Sequence, residues 1–147
     1  MINQSNPRTV LKLYAADTST HIDIDVLGGV SAGFPSPADD YIDSSIDLNR
    51  VLIKNRVATY FMRVVGNSMK GAGIDDGDLL IIDRSINPKD NLIAVCYLDG
   101  EYIVKRLKKE KDAILLVAEN TSYKPIRVTK EHDFSVWGVV TTVIKTL

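Results

Sequence analysis

Leu92-Ile93-Ala94-Val95-Cys96-Tyr97-Leu98-Asp99-Gly100-Glu101-Tyr102-Ile103-Val104-Lys105-Arg106-Leu107 places two runs of apolar, β-branched and aromatic residues on either side of an Asp-Gly pair. A tight two-residue turn needs positive φ at its centre, which Gly adopts freely and Asp tolerates, so Asp-Gly between two such runs is a strong hairpin signal. The stretch reads as strands over Leu92 to Leu98 and Glu101 to Leu107. Outward from it, Thr59 to Val65, Leu79 to Ile82, Ala113 to Ala118, Ile126 to Val128 and Phe134 to Ile144 have the same character and are separated by turn residues. About six or seven strands with no long helical period predict a mainly β fold, a sandwich or an open barrel.

Alternation along the second arm of the hairpin puts Glu101, Ile103, Lys105 and Leu107 on one face and Tyr102, Val104 and Arg106 on the other. Apolar residues stand on both, so the pattern does not decide which face is inside. If it is the face of Ile103 and Leu107, the Lys105 ammonium loses water and its pKa falls, and a neutral amine can take a proton. If it is the other, Lys105 runs its stem along an apolar patch and keeps its charge in solvent.

Upstream, Thr59 to Val65 runs into Gly66-Asn67-Ser68-Met69-Lys70-Gly71-Ala72-Gly73. Glycines after a buried strand force a change of direction, and a hydroxyl there projects from the sheet. Such a turn is commonly only a turn; Ser68 becomes a nucleophile if a base meets it. A nucleophile elbow would need Gly where Lys70 stands. Gly66 and Gly71 have the spacing of a phosphate-binding loop, but Ala72-Gly73 replaces its Lys-Ser or Lys-Thr. A neutral Lys105 would supply the base, in the Ser-Lys variant of triad chemistry. The competing bases are His21 and His132, the latter in the polar segment Thr129-Lys130-Glu131-His132-Asp133. Asp75-Asp76-Gly77-Asp78 lacks the remaining positions of a calcium loop and reads as a turn. Cys96 is the single cysteine, expected as a small core residue; it can form no internal disulfide and no zinc cluster.

The first third of the chain is polar around two short apolar patches, Val10-Leu11-Lys12-Leu13-Tyr14 and Ile22-Asp23-Ile24-Asp25-Val26-Leu27, and reads as an arm with an edge strand in its second patch. Gly28-Gly29-Val30-Ser31-Ala32-Gly33-Phe34-Pro35-Ser36-Pro37 follows, flexible and then stiff, as a linker would be. The Ala32-Gly33 peptide, flanked by the least bulky side chains, could also enter a narrow cleft. Ile46 to Ile53 fits a short helix capped by Asp47.

The 147 residues make one domain with a real core and an arm. With 45% hydrophobic and 25% charged residues, the chain is an ordinary globular one. Lys plus Arg number 18 against 19 Asp plus Glu, a net charge of −1, which gives no pull toward DNA or an anionic membrane. Neither a signal peptide nor a membrane-length apolar run is visible, so a cytoplasmic protein without a membrane anchor is expected.

Gly66-Asn67-Ser68-Met69, Gly73-Ile74-Asp75-Asp76-Gly77-Asp78-Leu79-Leu80-Ile81-Ile82-Asp83 and Asp99 to Leu107 resemble, in order and spacing, the catalytic segments of the self-cleaving LexA and UmuD family. Gly33-Phe34-Pro35-Ser36-Pro37-Ala38 and Ile46-Asp47-Leu48-Asn49 are similar to the UmuD branch, and the likeness runs from about Ser31 through Val136-Trp137-Gly138-Val139-Val140 to the carboxyl terminus. The resemblance implies a LexA-like catalytic β fold with Ser68 as nucleophile, Lys105 as general base and main-chain N–H groups of Asn67 and Ser68 as the oxyanion hole. It implies cleavage of Ala32-Gly33, an arm over 1–32, a linker and short helix over 33–55 and a catalytic domain over 56–147. No cofactor or metal is expected. The implied partners are a second copy in a homodimer, the RecA filament on single-stranded DNA as stimulator, and a UmuC-type polymerase subunit in error-prone synthesis past lesions during the SOS response. Direct specific DNA binding is not expected, since no helix-turn-helix pattern precedes the cleavage site. Asn67 and Lys70 depart from the UmuD pattern, and Ala32 is more like LexA. The alternative is a dimeric, non-catalytic binding module that keeps the fold as a scaffold.

Overall fold

The computed structural model describes residues 12–20, 23–27 and 42–147. The strands are β1 (Lys12–Ala15), β2 (Asp23–Leu27), β3 (Ile42–Asp47), β4 (Thr59–Arg63), β5 (Leu79–Asp83), β6 (Ile93–Leu98), β7 (Glu101–Lys109), β8 (Ile114–Val117), β9 (Ile126–Val128) and β10 (Phe134–Ile144). The helix α1 (Leu48–Leu52) is capped by Asp47, whose side chain accepts from Asn49 N–H as the sequence predicts. No helix among the described residues is long and apolar enough to cross a membrane.

Eight strands form one sheet in the order β1-β4-β5-β10-β6-β7-β8-β9, every neighbouring pair antiparallel. The fold is therefore mainly β, and β4 to β10 fall where the sequence places strands. Three earlier strands were not all foreseen. β1, from the first apolar patch of the arm, adds to the edge of the sheet beside β4, and β3, in the stretch read as linker, pairs with β2. Both sheet edges are short strands, which limits the unpaired backbone they offer.

β10 joins the two halves. Its second half pairs with β5, its first half with β6, and Val139 stands opposite Asp83 on one side and Ala94 on the other. The register shifts between Val136 and Gly138 and again between Val140 and Thr142, and such bulges bend a strand so that it can serve two differently directed neighbours. Gly138 has a packing reason to be Gly: a Cβ there would lie 2.6 Å from Ile82 Cγ2.

Both faces of the sheet carry a core. Along β6, Val95 belongs to one buried cluster, with Met62, Met69, Ile74, Leu80 and Ile82, while Ala94 and Cys96 belong to the other, with Leu107 and Leu116. β7 divides in the same way, Val104 to the first cluster and Ile103 and Leu107 to the second. The hairpin that joins β6 and β7 turns at Asp99 (φ 47°) and Gly100 (φ 92°), the doubly positive turn that an Asp-Gly pair favours.

Candidate active site

After β4 the chain is tied to the acidic turn before β5. Val64 N–H donates to Asp78 O at 2.8 Å, Gly77 N–H to Val64 O at 2.9 Å, and Gly66 N–H to the Asp76 carboxylate at 2.7 Å. The Asp75–Asp78 segment is thus a turn former, as read from the sequence, and its carboxylates are used as acceptors. Gly66 takes φ +94°, and Gly73 takes φ +74° at the end of a 3-10 turn over Lys70–Ala72. Between these two reversals Met69 is 2% exposed and anchors the turn in the first core. Burying Met69 leaves its neighbour Ser68 half-buried and directed to the other side.

On β7, Lys105 is buried, 9% exposed, on the same side as Ile103 and Leu107. It stands opposite Ala94 of β6, and Cys96 lies one pair further along that face. Its Nζ donates to Ser68 Oγ at 2.9 Å across 37 positions of sequence. Among the described residues this is its one hydrogen bond, and no carboxylate pairs with it. Loss of water therefore dominates its titration, and burial holds the amine below its ordinary 10.5, with a smaller opposing effect from the Cys96 thiol. Burial in turn pushes the Cys96 thiol up to about 12, so it stays protonated and inert, the core cysteine the sequence anticipates. An uncharged amine at this distance can take the hydroxyl proton as the oxygen attacks.

The N–H groups of Asn67 and Ser68 donate to no acceptor among the described residues. Ser68 lines a small crevice of about 60 Å³ together with Val65, Gly66, Tyr102, Ile103 and Lys105 among others. Val65 and Tyr102 at its mouth are 46% and 42% exposed.

His132 is not part of this group: its Nδ1 accepts from Thr129 N–H at 3.0 Å within its own turn. His21, Ala32 and Gly33 lie outside the described residues. No group of His, Cys, Asp and Glu suited to a metal ion occurs among the described residues. Sequence reasoning missed the loop between β8 and β9, which braces the Ser68 turn. Glu119 O accepts from Gly71 N–H at 2.6 Å, Asn120 Nδ2 donates to Asn67 O at 2.9 Å, and Tyr123 OH donates to Asn67 Oδ1 at 2.8 Å. A polar loop some fifty residues downstream carries no local sign of such a task.

Residues 25–141 match the model of the family described as Peptidase S24-like. The chain is 40% identical to Protein ImpA of Salmonella typhimurium and of Escherichia coli over 114 residues, 77% of either chain. It is 40% identical to Protein SamA of Salmonella typhimurium over 113 residues, 77% of this chain and 78% of that one. It is also 41% identical to LexA repressor 2 of Pseudomonas syringae pv. tomato over 118 residues, 80% of this chain but 58% of the repressor.

Proposed function

This chain belongs to the Peptidase S24-like family, and from that membership we propose that it is a serine peptidase that cuts its own Ala32-Gly33 bond with a Ser68-Lys105 dyad. The observation that carries the reading is the 2.9 Å contact from the desolvated Lys105 amine to Ser68 Oγ beside a crevice. Such a crevice suits a peptide with little side-chain bulk on either side of the bond.

In this reading the steps are those of acyl transfer. Neutral Lys105 takes the Ser68 proton while Oγ bonds to the Ala32 carbonyl carbon, and the resulting oxyanion accepts from the N–H groups of Asn67 and Ser68. The carbon–nitrogen bond breaks as the Lys105 ammonium returns the proton to the Gly33 amine. Water, deprotonated in turn by Lys105, then hydrolyses the Ala32 ester and frees Ser68. Tethering supplies much of the positioning that a separate substrate would lose as entropy.

Similarity to ImpA and SamA, which are of the UmuD type, supports a role in the SOS response, in which the shortened form assists error-prone synthesis past DNA lesions. In this reading the protein works as a homodimer in the cytoplasm, a RecA filament on single-stranded DNA stimulates cleavage, and a UmuC-type polymerase subunit receives the product. The stimulator acts by binding the state with the cleavage segment in the crevice better than the state without it.

Purified protein incubated at mildly alkaline pH, with and without RecA filament, is expected to lose its first 32 residues, with the new end identified by mass spectrometry. Ser68→Ala and Lys105→Ala should each abolish the cut. An intact wild-type chain under every condition would instead favour the non-catalytic dimeric module.

A further inference from the structure

We propose that Asn120 is a positioning residue that aims the Ser68 N–H at the developing oxyanion, and that Tyr123 supports the same peptide by holding the Asn67 side chain. This role rests on the Ser68-Lys105 dyad proposed above. The Asn67 carbonyl and the Ser68 N–H belong to one trans peptide, so they point in opposite directions and move together. Asn120 Nδ2 donates to that carbonyl at 2.9 Å, which fixes the plane of the peptide and with it the direction of the Ser68 N–H. That N–H has no acceptor among the described residues, as a donor reserved for a transient charge should not.

Asn67 is one of the residues read above as departing from the UmuD pattern, and its side chain has a partner. Tyr123 OH donates to Asn67 Oδ1 at 2.8 Å, and Tyr123 N–H donates to Asn120 O at 3.1 Å, so the two bracing residues are themselves joined. Asn120 Oδ1 also accepts from Ser122 N–H at 3.0 Å, which closes the turn that presents both side chains. The Tyr123 ring lies 5.8 Å from Lys105 Nζ. The loop is anchored at a second point, Gly71 N–H to Glu119 O, and Glu119 is held by Arg106 from the face of β7 opposite to Lys105. Bonds at Asn67 and Gly71 thus bracket Ser68.

The titratable groups facing Lys105 are Cys96 from β6 and Tyr123 from this loop, with the Ser68 hydroxyl from the turn. Removing the Asn120 amide or the Tyr123 hydroxyl leaves the amine and its surroundings in place. Loss of oxyanion alignment should therefore slow the reaction at every pH without moving the pH at which half the limiting rate is reached.

The test is the rate of self-cleavage of the full chain across pH for Asn120→Ala, Tyr123→Phe and the double variant, beside Ser68→Ala. Asn120→Ala should lower the alkaline plateau about tenfold and Tyr123→Phe about threefold, the scale of one misplaced hydrogen bond. The midpoint should stay at its wild-type pH. Because both act through one peptide, the double variant should fall about tenfold, well short of the product of the single losses. A wild-type plateau in both single variants, a shifted midpoint in Tyr123→Phe, or losses that multiply would overturn the inference. Tyr123 is 46% exposed, so its variant folds even if Asn120→Ala does not. Cleavage that persists in Ser68→Ala would instead overturn the dyad itself.

Discussion

Lys105 is expensive to bury, and among the described residues its amine gains one hydrogen bond, to a hydroxyl, and no carboxylate, which is what a proton acceptor requires and a structural lysine does not. Its folded-state pKa lies below its ordinary 10.5, so the fraction of neutral amine rises with pH through the folded value, and the self-cleavage rate should climb over a window below pH 10.5 and then level off. A rate that falls as pH rises through that window would remove Lys105 as base. The same shift has a stability consequence. The unfolded chain holds a proton on Lys105 that the folded chain sheds, so this residue weakens the fold below its folded pKa, and the penalty shrinks as pH approaches 10.5. Lys105→Met, which keeps the length and drops the charge, should stabilise the protein by about 1 kcal/mol near neutral pH and by less at pH 10, read from denaturant midpoints. The sequence offered Lys105 and Ser68 as candidates through residue type and strand phase. It could not choose the buried face of β7, because Val104 on one side and Leu107 on the other are both core residues.

Among the elements, the turn after β4 and the bulges of β10 depend on what passes close to them. A Cβ on Gly71 would stand 2.6 Å from Glu119 O, a backbone atom of the bracing loop that cannot swing aside. Gly71→Ala should therefore push the Ser68 turn off the loop, destabilising the fold by about 1–3 kcal/mol and slowing self-cleavage at least tenfold, measured on the same sample. Gly138→Ala meets Ile82 in the centre of the sheet and should cost about 2 kcal/mol. Its effect on cleavage should be no more than its effect on the folded fraction, since it lies outside the bracing contacts. The Asp-Gly hairpin, the capped helix and the Gly66 to Gly73 reversal were all legible, because each is set by the φ preferences and side-chain acceptors of residues close in sequence. Strands β1 and β3 were harder to read, since short polar-flanked segments become strands only when a partner edge is available.

Across the whole molecule, the end of the chain is tied to the acidic turn behind the site. Lys145, just past β10, donates to Asp75 and Asp78 at 2.6 Å each, and Asp78 also accepts from Asp75 N–H. The Lys145 bond first, and then the Asp75 N–H, hold the Asp78 carboxyl below its ordinary 3.8. Its contribution is present above pH 3.8 and is lost as pH falls through the lower folded value. Asp78→Asn should lower the melting temperature at neutral pH, and the gap to wild type should close in acid below that point; a constant gap across the range would count against this tie. The sequence by itself determined strands β4 to β10, the turns between them, the absence of a charge bias toward nucleic acid and the residue types able to carry acyl transfer, because all of these are recorded in composition and short-range pattern. Only the tertiary structure decided that β10 joins two half-sheets, that β7 is closed on the Lys105 side, and that an amine and a hydroxyl 37 positions apart lie 2.9 Å from each other. Loss of water at a side chain is imposed by elements packed against it from elsewhere in the chain, and no window of neighbouring residues contains that information.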